Sequence, residues 1–195
     1  MKAAPLAIAL ASSLAVAAPA AAGGYISAGI GADAVLTGGL DDEFDAEATG
    51  SGRLALGLRT GPVAVEASAF GAPFANAEPM GGEREPAGDF APFSLGVDLK
   101  YHVSLFPKLE AYGRAGVHRT WVVQNGASTD EIYSGRGHAL GGGVQLPVDA
   151  FSTVDAAFWL DYTRQTTQLA MEGGGSLIEG NAHMVMLGVA FGSGV

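Results

Sequence analysis

The residues with the most chemical potential in this chain are few and scattered. His118 and Thr120 stand two positions apart, with Glu110 and Arg114 in the same alternating file. A histidine beside a hydroxyl can take its proton and make it a nucleophile. A histidine held among charged neighbours inside the protein is the plainer reading of this file. The four histidines, His102, His118, His138 and His183, do not fall at metal-ligand spacing. The run Asp41-Asp42-Glu43-Phe44-Asp45-Ala46-Glu47 offers carboxylate oxygens of the kind that Ca²⁺ and Mg²⁺ favour. It lacks the glycine hinge and ligand order of an EF-hand, so a solvated acidic loop is expected. Gly141-Gly142-Gly143 and Gly173-Gly174-Gly175 have neither the lysine nor the following helix of a phosphate-binding loop. No catalytic, cofactor-binding or metal-binding residue is therefore assigned, no cofactor is expected, and the chain does not read as an enzyme.

The elements that carry these residues are strands. Side chains alternate faces along a strand, so each segment splits into two files. In Phe93 to Val103 the apolar file is Phe93, Leu95, Val97, Leu99, Tyr101 and Val103, against Ser94, Gly96, Asp98, Lys100 and His102. Leu54, Leu56 and Leu58 stand against Arg53, Ala55, Gly57 and Arg59; Val63, Val65, Ala67 and Ala69 stand against Glu66 and Ser68. Val154, Ala156, Phe158, Leu160 and Tyr162 oppose Asp155, Trp159 and Asp161. Four further strands are predicted over Tyr25 to Leu36, Leu109 to Trp121, Gly137 to Leu146 and His183 to Phe191. The last has a second file of Met184, Met186, Gly188 and Ala190, soft or small rather than polar.

The connections between these strands alternate in length. Long ones run Thr37 to Ser51, Gly71 to Ala91, Val123 to Gly135 and Leu169 to Asn181; short ones are Gly61-Pro62, Ser104 to Lys108 and Val148 to Ser152. Pro62, Pro107 and Pro147 are read as turn formers at the short end. A stack of hairpins with long loops at one end and tight turns at the other is the signature of a membrane barrel. The polar file holds six carboxylates, Asp33, Glu66, Asp98, Glu110, Asp155 and Asp161, and four cations, Arg53, Arg59, Lys100 and Arg114. Buried charge is costly unless paired, and these can neutralise one another in a narrow lumen with glycine and alanine leaving room. The apolar file is almost free of charge, as a lipid-facing wall demands, and closure satisfies the backbone groups that hydrocarbon could not. The fold class expected is all-β, an eight-stranded antiparallel up-and-down transmembrane β-barrel. A soluble ligand-binding barrel is the structural rival. Tyr25, Phe106 and Phe151 at the short-turn end, and Trp121 and Tyr162 at the other, are expected to form interfacial belts.

Residues 1–22 read as a secretory signal peptide: Lys2, an apolar run over Pro5 to Val16 too short to span a bilayer, and the small residues Ala20-Ala21-Ala22. The barrel domain is expected over 23–195. There is no cysteine, hence no disulfide and no lipidated cysteine.

With these strands in place the chain resembles the small eight-stranded outer-membrane barrels of Gram-negative bacteria, the OmpA/OmpX type. The last strand, Val185-Met186-Leu187-Gly188-Val189-Ala190-Phe191, resembles the family's C-terminal insertion signal, displaced here by Gly192-Ser193-Gly194-Val195. The resemblance implies a monomer in the cell outer membrane, both termini in the periplasm, long loops outside, and contact with the barrel-assembly machinery during insertion. The long loops carry Asp41, Asp42, Glu43, Asp45, Glu47, Glu78, Glu83, Glu85, Asp89, Asp130, Glu131, Glu172 and Glu179, with Arg84 the one base well inside them. Such a rim repels polyanions, so nucleic acid is not an expected partner. A structural or surface-interaction role follows as the expectation, with divalent cations bridging the acidic loops to lipopolysaccharide. A narrow porin-like channel is the alternative, and a lipid-modifying enzyme a more distant one.

Overall fold

The computed structural model describes residues 23–32, 34–44, 50–71, 89–125, 131–148, 155–171, 177–193 and 195; at 42–44, 89–90, 124–125 and 131–132 it describes the backbone alone. The signal segment, Asp33, Phe151, Gly173 to Gly175 and most of the loop acids lie outside these residues. Among the described residues the strands are β1 (Gly23–Gly31), β2 (Val35–Gly38), β3 (Ser51–Thr60), β4 (Val63–Gly71), β5 (Asp89–Phe106), β6 (Leu109–Asn125), β7 (Glu131–Val148), β8 (Asp155–Met171) and β9 (Ile178–Gly192); a short helix, α1 (Gly39–Phe44), follows β2.

From β3 to β9 each strand pairs antiparallel with the next, and β1 closes the sheet by pairing with both β3 and β9. The predicted first strand is broken. β1 pairs with β9 through Tyr25↔Gly192 to Gly31↔Met186, and after 32–34 β2 resumes on the same neighbour, from Val35↔His183 to Gly38↔Gly180. The Ala32 N–H donates to Val185 O at 3.2 Å across the break. Since β1 and β2 together make one stave, the nine strands form an eight-stave closed barrel. Closure leaves no open edge over the span where β1 joins β3 and β9; above it, among the described residues, β2 pairs with β9 alone and Asp89 to Pro92 with β6 alone.

Several boundaries differ from the sequence-based ones. β5, β6, β7 and β8 are 17 or 18 residues long, well beyond the 9–11 or so that a membrane requires. Val123 to Asn125, Glu131 to Gly135, Leu169 to Met171 and Ile178 to Asn181, all read as loop, belong to strands. At this end the outward file is mostly polar (Ser134, Arg136, Gln168, Glu179, Asn181), so the lipid-facing pattern that marks a membrane strand stops before the strand does. Pro147 lies within β7, paired with Ala157, rather than in a turn. Gly61 does form the β3–β4 turn, at φ 57°, a left-handed conformation that glycine adopts without a Cβ clash. The helix α1 was not anticipated; it packs on β9 and buries Leu40.

The two files sort as the alternation requires. Outward stand Ile30, Leu54, Leu56, Leu99, Val117, Leu140, Leu160, Val185 and Leu187, all exposed, Ile30 and Val117 at 68%. Inward stand Arg53, Glu66, Asp98, Lys100, Arg114, His118 and Asp161, all buried. A water-soluble barrel would show the reverse. The soft file of β9 also points inward, where Met184 and Met186 are each 2% exposed.

Glycines inside the wall make room for large rings. A Cβ on Gly57 would fall 2.2 Å from the Tyr25 ring, and one on Gly29 or Gly188 would fall 2.2 or 2.4 Å from the Trp159 ring. The small residues and the two aromatics therefore share one volume, and neither side can change alone.

Candidate functional site

The strand registers decide which lumenal charges meet. Glu66 on β4 lies directly across from Asp98 on β5, and Lys100 on β5 directly across from Arg114 on β6. Like charges opposite one another destabilise a sheet, so each pair depends on the other and on the charges reaching in from the far wall. Glu66, 0% exposed, accepts from Lys100 Nζ at 2.6 Å and from Tyr25 Oη at 2.8 Å, and it also pairs with the Arg53 guanidinium. Arg53 Nη2 lies 3.6 Å from Asp98 Oδ2, and its Nη1 lies 3.9 Å from Asp161 Oδ2. Arg114 spans the same two acids, at 3.1 Å from Asp98 and 3.3 Å from Asp161. Ser68 donates to Asp98 at 3.1 Å; Tyr112 and Thr163 donate to the two oxygens of Asp161 at 3.0 and 2.6 Å. Three cations and three carboxylates thus neutralise one another across the bore. Arg53 and Lys100 also face the Trp159 and Tyr112 rings, at 6.0 and 4.6 Å from the ring centres.

Towards the short-turn end a fourth pair completes the set. Arg59 holds Glu110 with two hydrogen bonds of 2.8 and 2.9 Å, while its Nε donates to Gly61 O. His102 is buried beside them, stacked obliquely on Tyr112, with Nδ1 at 3.3 Å from Glu110 but off hydrogen-bond geometry. Towards the long-loop end the lumen turns apolar. Phe70, Val122, Tyr133, Leu169 and Met184 meet Leu40 of α1 in one buried cluster. Between this cap and the charges lies a cavity of about 10 Å³, lined by Ser68, Phe70, Ser94, Asp98, Arg114, His118 and Gln165, room for about one water.

His118 and Thr120 share the lumenal file as expected but do not bond to each other. His118 Nε2 bonds Thr167 Oγ1 at 3.0 Å, and Thr120 bonds Ser94 at 2.7 Å. Glu110 joins Arg59 rather than His118. His138 and His183 lie on the outer wall, His183 with Nδ1 2.7 Å from the Tyr162 hydroxyl. Of the expected lumenal acids, Asp155 drops out of the network, exposed at the short-turn end; Asp33 lies outside the described residues. Tyr25 is no belt residue; its parity with Ser27 places it inside, on Glu66. Sequence reading also missed Ser68 and Thr163 as partners of Asp98 and Asp161, because the first contact depends on the β4–β5 register and the second on the rotamers of two side chains two residues apart on β8. Trp121 stands outward near the long-loop end, where a belt was expected, stacked on Phe93 at 6.2 Å, whereas Tyr162 faces outward at mid-strand, paired with Gly142.

Comparison with known proteins agrees with this architecture. Neisserial surface protein A has a similar structure, 15% identical, covering 86% of this chain and 95% of its own, at TM-score 0.60. A major outer membrane protein from Thermus thermophilus is 16% identical, covering 88% and 99%, at TM-score 0.53. The N-terminal β-barrel domain of Pseudomonas aeruginosa OprF is 15% identical, covering 88% and 97%, at TM-score 0.47. At such identities the first two likenesses speak for the fold alone. No curated protein matches the chain significantly. The family model of the outer membrane protein beta-barrel domain, however, matches residues 4–191, and the chain therefore belongs to that family, a β-barrel protein of the cell outer membrane.

Proposed function

We propose that this protein is a non-conducting barrel that anchors acidic loops at the cell surface, with a structural or adhesive role and no catalytic one. The observation that carries the reading is the closed charge network of Arg53, Lys100 and Arg114 with Glu66, Asp98 and Asp161, capped by Phe70, Val122, Leu169 and Met184. Eight staves enclose a bore just wide enough for side chains to fill, and here the filling is charged and ion-paired across the bore. A solute would have to break several buried ion pairs to pass.

In this reading, the long connections face outward from the cell, as is usual for the architecture. Their carboxylates, among them Asp41, Glu78, Glu83 and Glu85, take up Ca²⁺ or Mg²⁺ and through them the phosphates of lipopolysaccharide. His118 belongs to the lumen packing, remote from any lipid substrate. The protein acts as a monomer inserted by the barrel-assembly machinery, with Phe191 as the aromatic of its insertion signal.

Proteoliposome swelling tests the closed bore: vesicles carrying the protein should swell in small sugars no faster than empty ones, and faster swelling would favour the narrow channel. Deletion of residues 73–88 should weaken Mg²⁺-dependent association with lipopolysaccharide; unchanged association would remove the loops from the account.

A further inference from the structure

On β6 to β9 the two faces of the wall exchange character near the long-loop end. Lower down, the outward positions are Leu140, Leu160 and Leu187; the inward ones include Arg114, Gln145 and Asp161 on β6 to β8, while β9 keeps its soft inward file of Met186 and Ala190. Higher up, Val122, Tyr133 and Leu169 point inward, while Arg119, Arg136, Gln168 and Glu179 stand outward in one continuous cross-strand row. That exchange marks where the wall leaves hydrocarbon, independently of what the outward residues bind. Strand geometry gives the same level. Arg119 is ten residues above Leu109, and Arg136 ten residues above Leu146; ten residues at ~3.4 Å and a tilt of ~40° rise about 26 Å, the height of an apolar band. The Phe93–Trp121 stack lies at this border, as an aromatic girdle would.

The basic residues of the outer wall gather here. Arg53, Arg59, Lys100 and Arg114 are ion-paired in the lumen, whereas Arg119, Arg136 and Arg164 all face outward on adjacent strands and are exposed. Arg119 and Arg136 are direct cross-strand partners, a repulsive arrangement unless an anion lies between them. The Arg164 backbone lies lower, four residues below Gln168 on β8 and paired with Leu140, and its side chain reaches up toward the border, where it meets Asn181. Among the described residues no carboxylate pairs with any of the three. The nearby Glu179 accepts from Gln168 at 3.0 Å; Arg119 lies 5.2 Å over the Trp121 ring, and Arg164 Nε donates to Asn181 at 3.0 Å.

We propose that Arg119, Arg136 and Arg164 form a direct binding surface for the phosphate of an outer-leaflet glycolipid headgroup. Guanidinium groups match phosphate geometry with paired hydrogen bonds, and an arginine facing outward is tolerated at the interface but not at mid-bilayer. The surface sits on the barrel wall, so it needs no cation bridge and is separate from the loop carboxylates. It rests on the family's orientation, with the long loops outside.

The test uses the folded barrel in detergent micelles containing EDTA, with lipid A or its dephosphorylated form, and reads retained lipid by native mass spectrometry. Wild type should prefer the phosphorylated lipid by at least about tenfold, the effect of one charge-assisted contact. The triple variant R119Q/R136Q/R164Q, checked for folding by heat-modifiable migration, should lose the preference, R136Q should lose part of it, and Lys108→Gln at the short-turn end should keep it. Equal retention of both lipids, unchanged preference in the triple variant, or an equal loss in Lys108→Gln would overturn the proposal. So would displacement by millimolar inorganic phosphate, which would indicate a simple anion site. Collapse of wild-type binding in EDTA would assign the lipid to the cation-bridged loops instead.

Discussion

Replacing Glu66 by glutamine keeps the shape of the side chain and removes one charge from the middle of the lumen. Glu66 is fully buried and serves Lys100, Arg53 and Tyr25 at once. In E66Q three cations face two carboxylates, Asp98 and Asp161, and Lys100 loses its one described ion-pair partner. Removing one member of a buried pair costs about 3–5 kcal/mol, because the remaining charge stays desolvated. Asp98 can offset part of this through Arg53, 3.6 Å away, so about 3 kcal/mol is the expected loss. Urea unfolding of the barrel in phospholipid bilayers, followed by gel mobility, measures it. The double variant E66Q/K100M restores balance between Arg53 and Arg114 on one side and Asp98 and Asp161 on the other. It should recover at least about 1 kcal/mol relative to the sum of the two single changes, a coupling typical of residues in one network. A loss below about 1 kcal/mol in E66Q, the value of an exposed pair, would refute the reasoning. So would strict additivity in the cycle.

Other outcomes follow from the packing and the faces. Gly57→Ala drives a methyl group into the Tyr25 ring and should cost about 1–3 kcal/mol by overpacking, whereas Gly113→Ala, which meets nothing within 4 Å, should be neutral or gain up to about 1 kcal/mol; equal effects in the same urea assay would show that the rings do not depend on the glycines. Leu187→Lys places a charge on the outward face of β9 and should destabilise the barrel by about 2–4 kcal/mol in a bilayer. A negligible change at this 60% exposed site would mean that the face meets water. Mass measurement of the protein purified from outer membranes should give a mature chain beginning near Gly23, and retention of Met1 to Ala22 would contradict cleavage there.

The membrane strands were legible because a single constraint, apolar outward and polar or small inward, acts along their whole membrane length. Leu54-Ala55-Leu56-Gly57-Leu58 shows it without interruption. The constraint lapses where the wall rises above hydrocarbon. There Ser134, Arg136 and Gln168 face outward and Val122 and Leu169 inward, which reads as loop when the membrane pattern is sought. The lumenal charges were legible by parity, and Arg53, Glu66, Asp98, Lys100, Arg114 and Asp161 all turned inward as expected. Their partners were not, because pairing depends on cross-strand register and on reach across the bore. Glu66↔Asp98 and Lys100↔Arg114 are like-charge neighbours that no pairwise reading would choose. Parity did contain one unused signal: Tyr25 shares its file with Ser27 and Gly29, and only its place near a strand end suggested a belt. Met184 and Met186 read as a defect in the last strand and prove to be its contribution to the core.

The central claim is that the bore is closed by its own side chains. Recordings from the folded wild-type protein in planar bilayers test this most directly. The account predicts a silent membrane at every protein density that inserts. A steady unit conductance, reproducible from one insertion to the next, would contradict it.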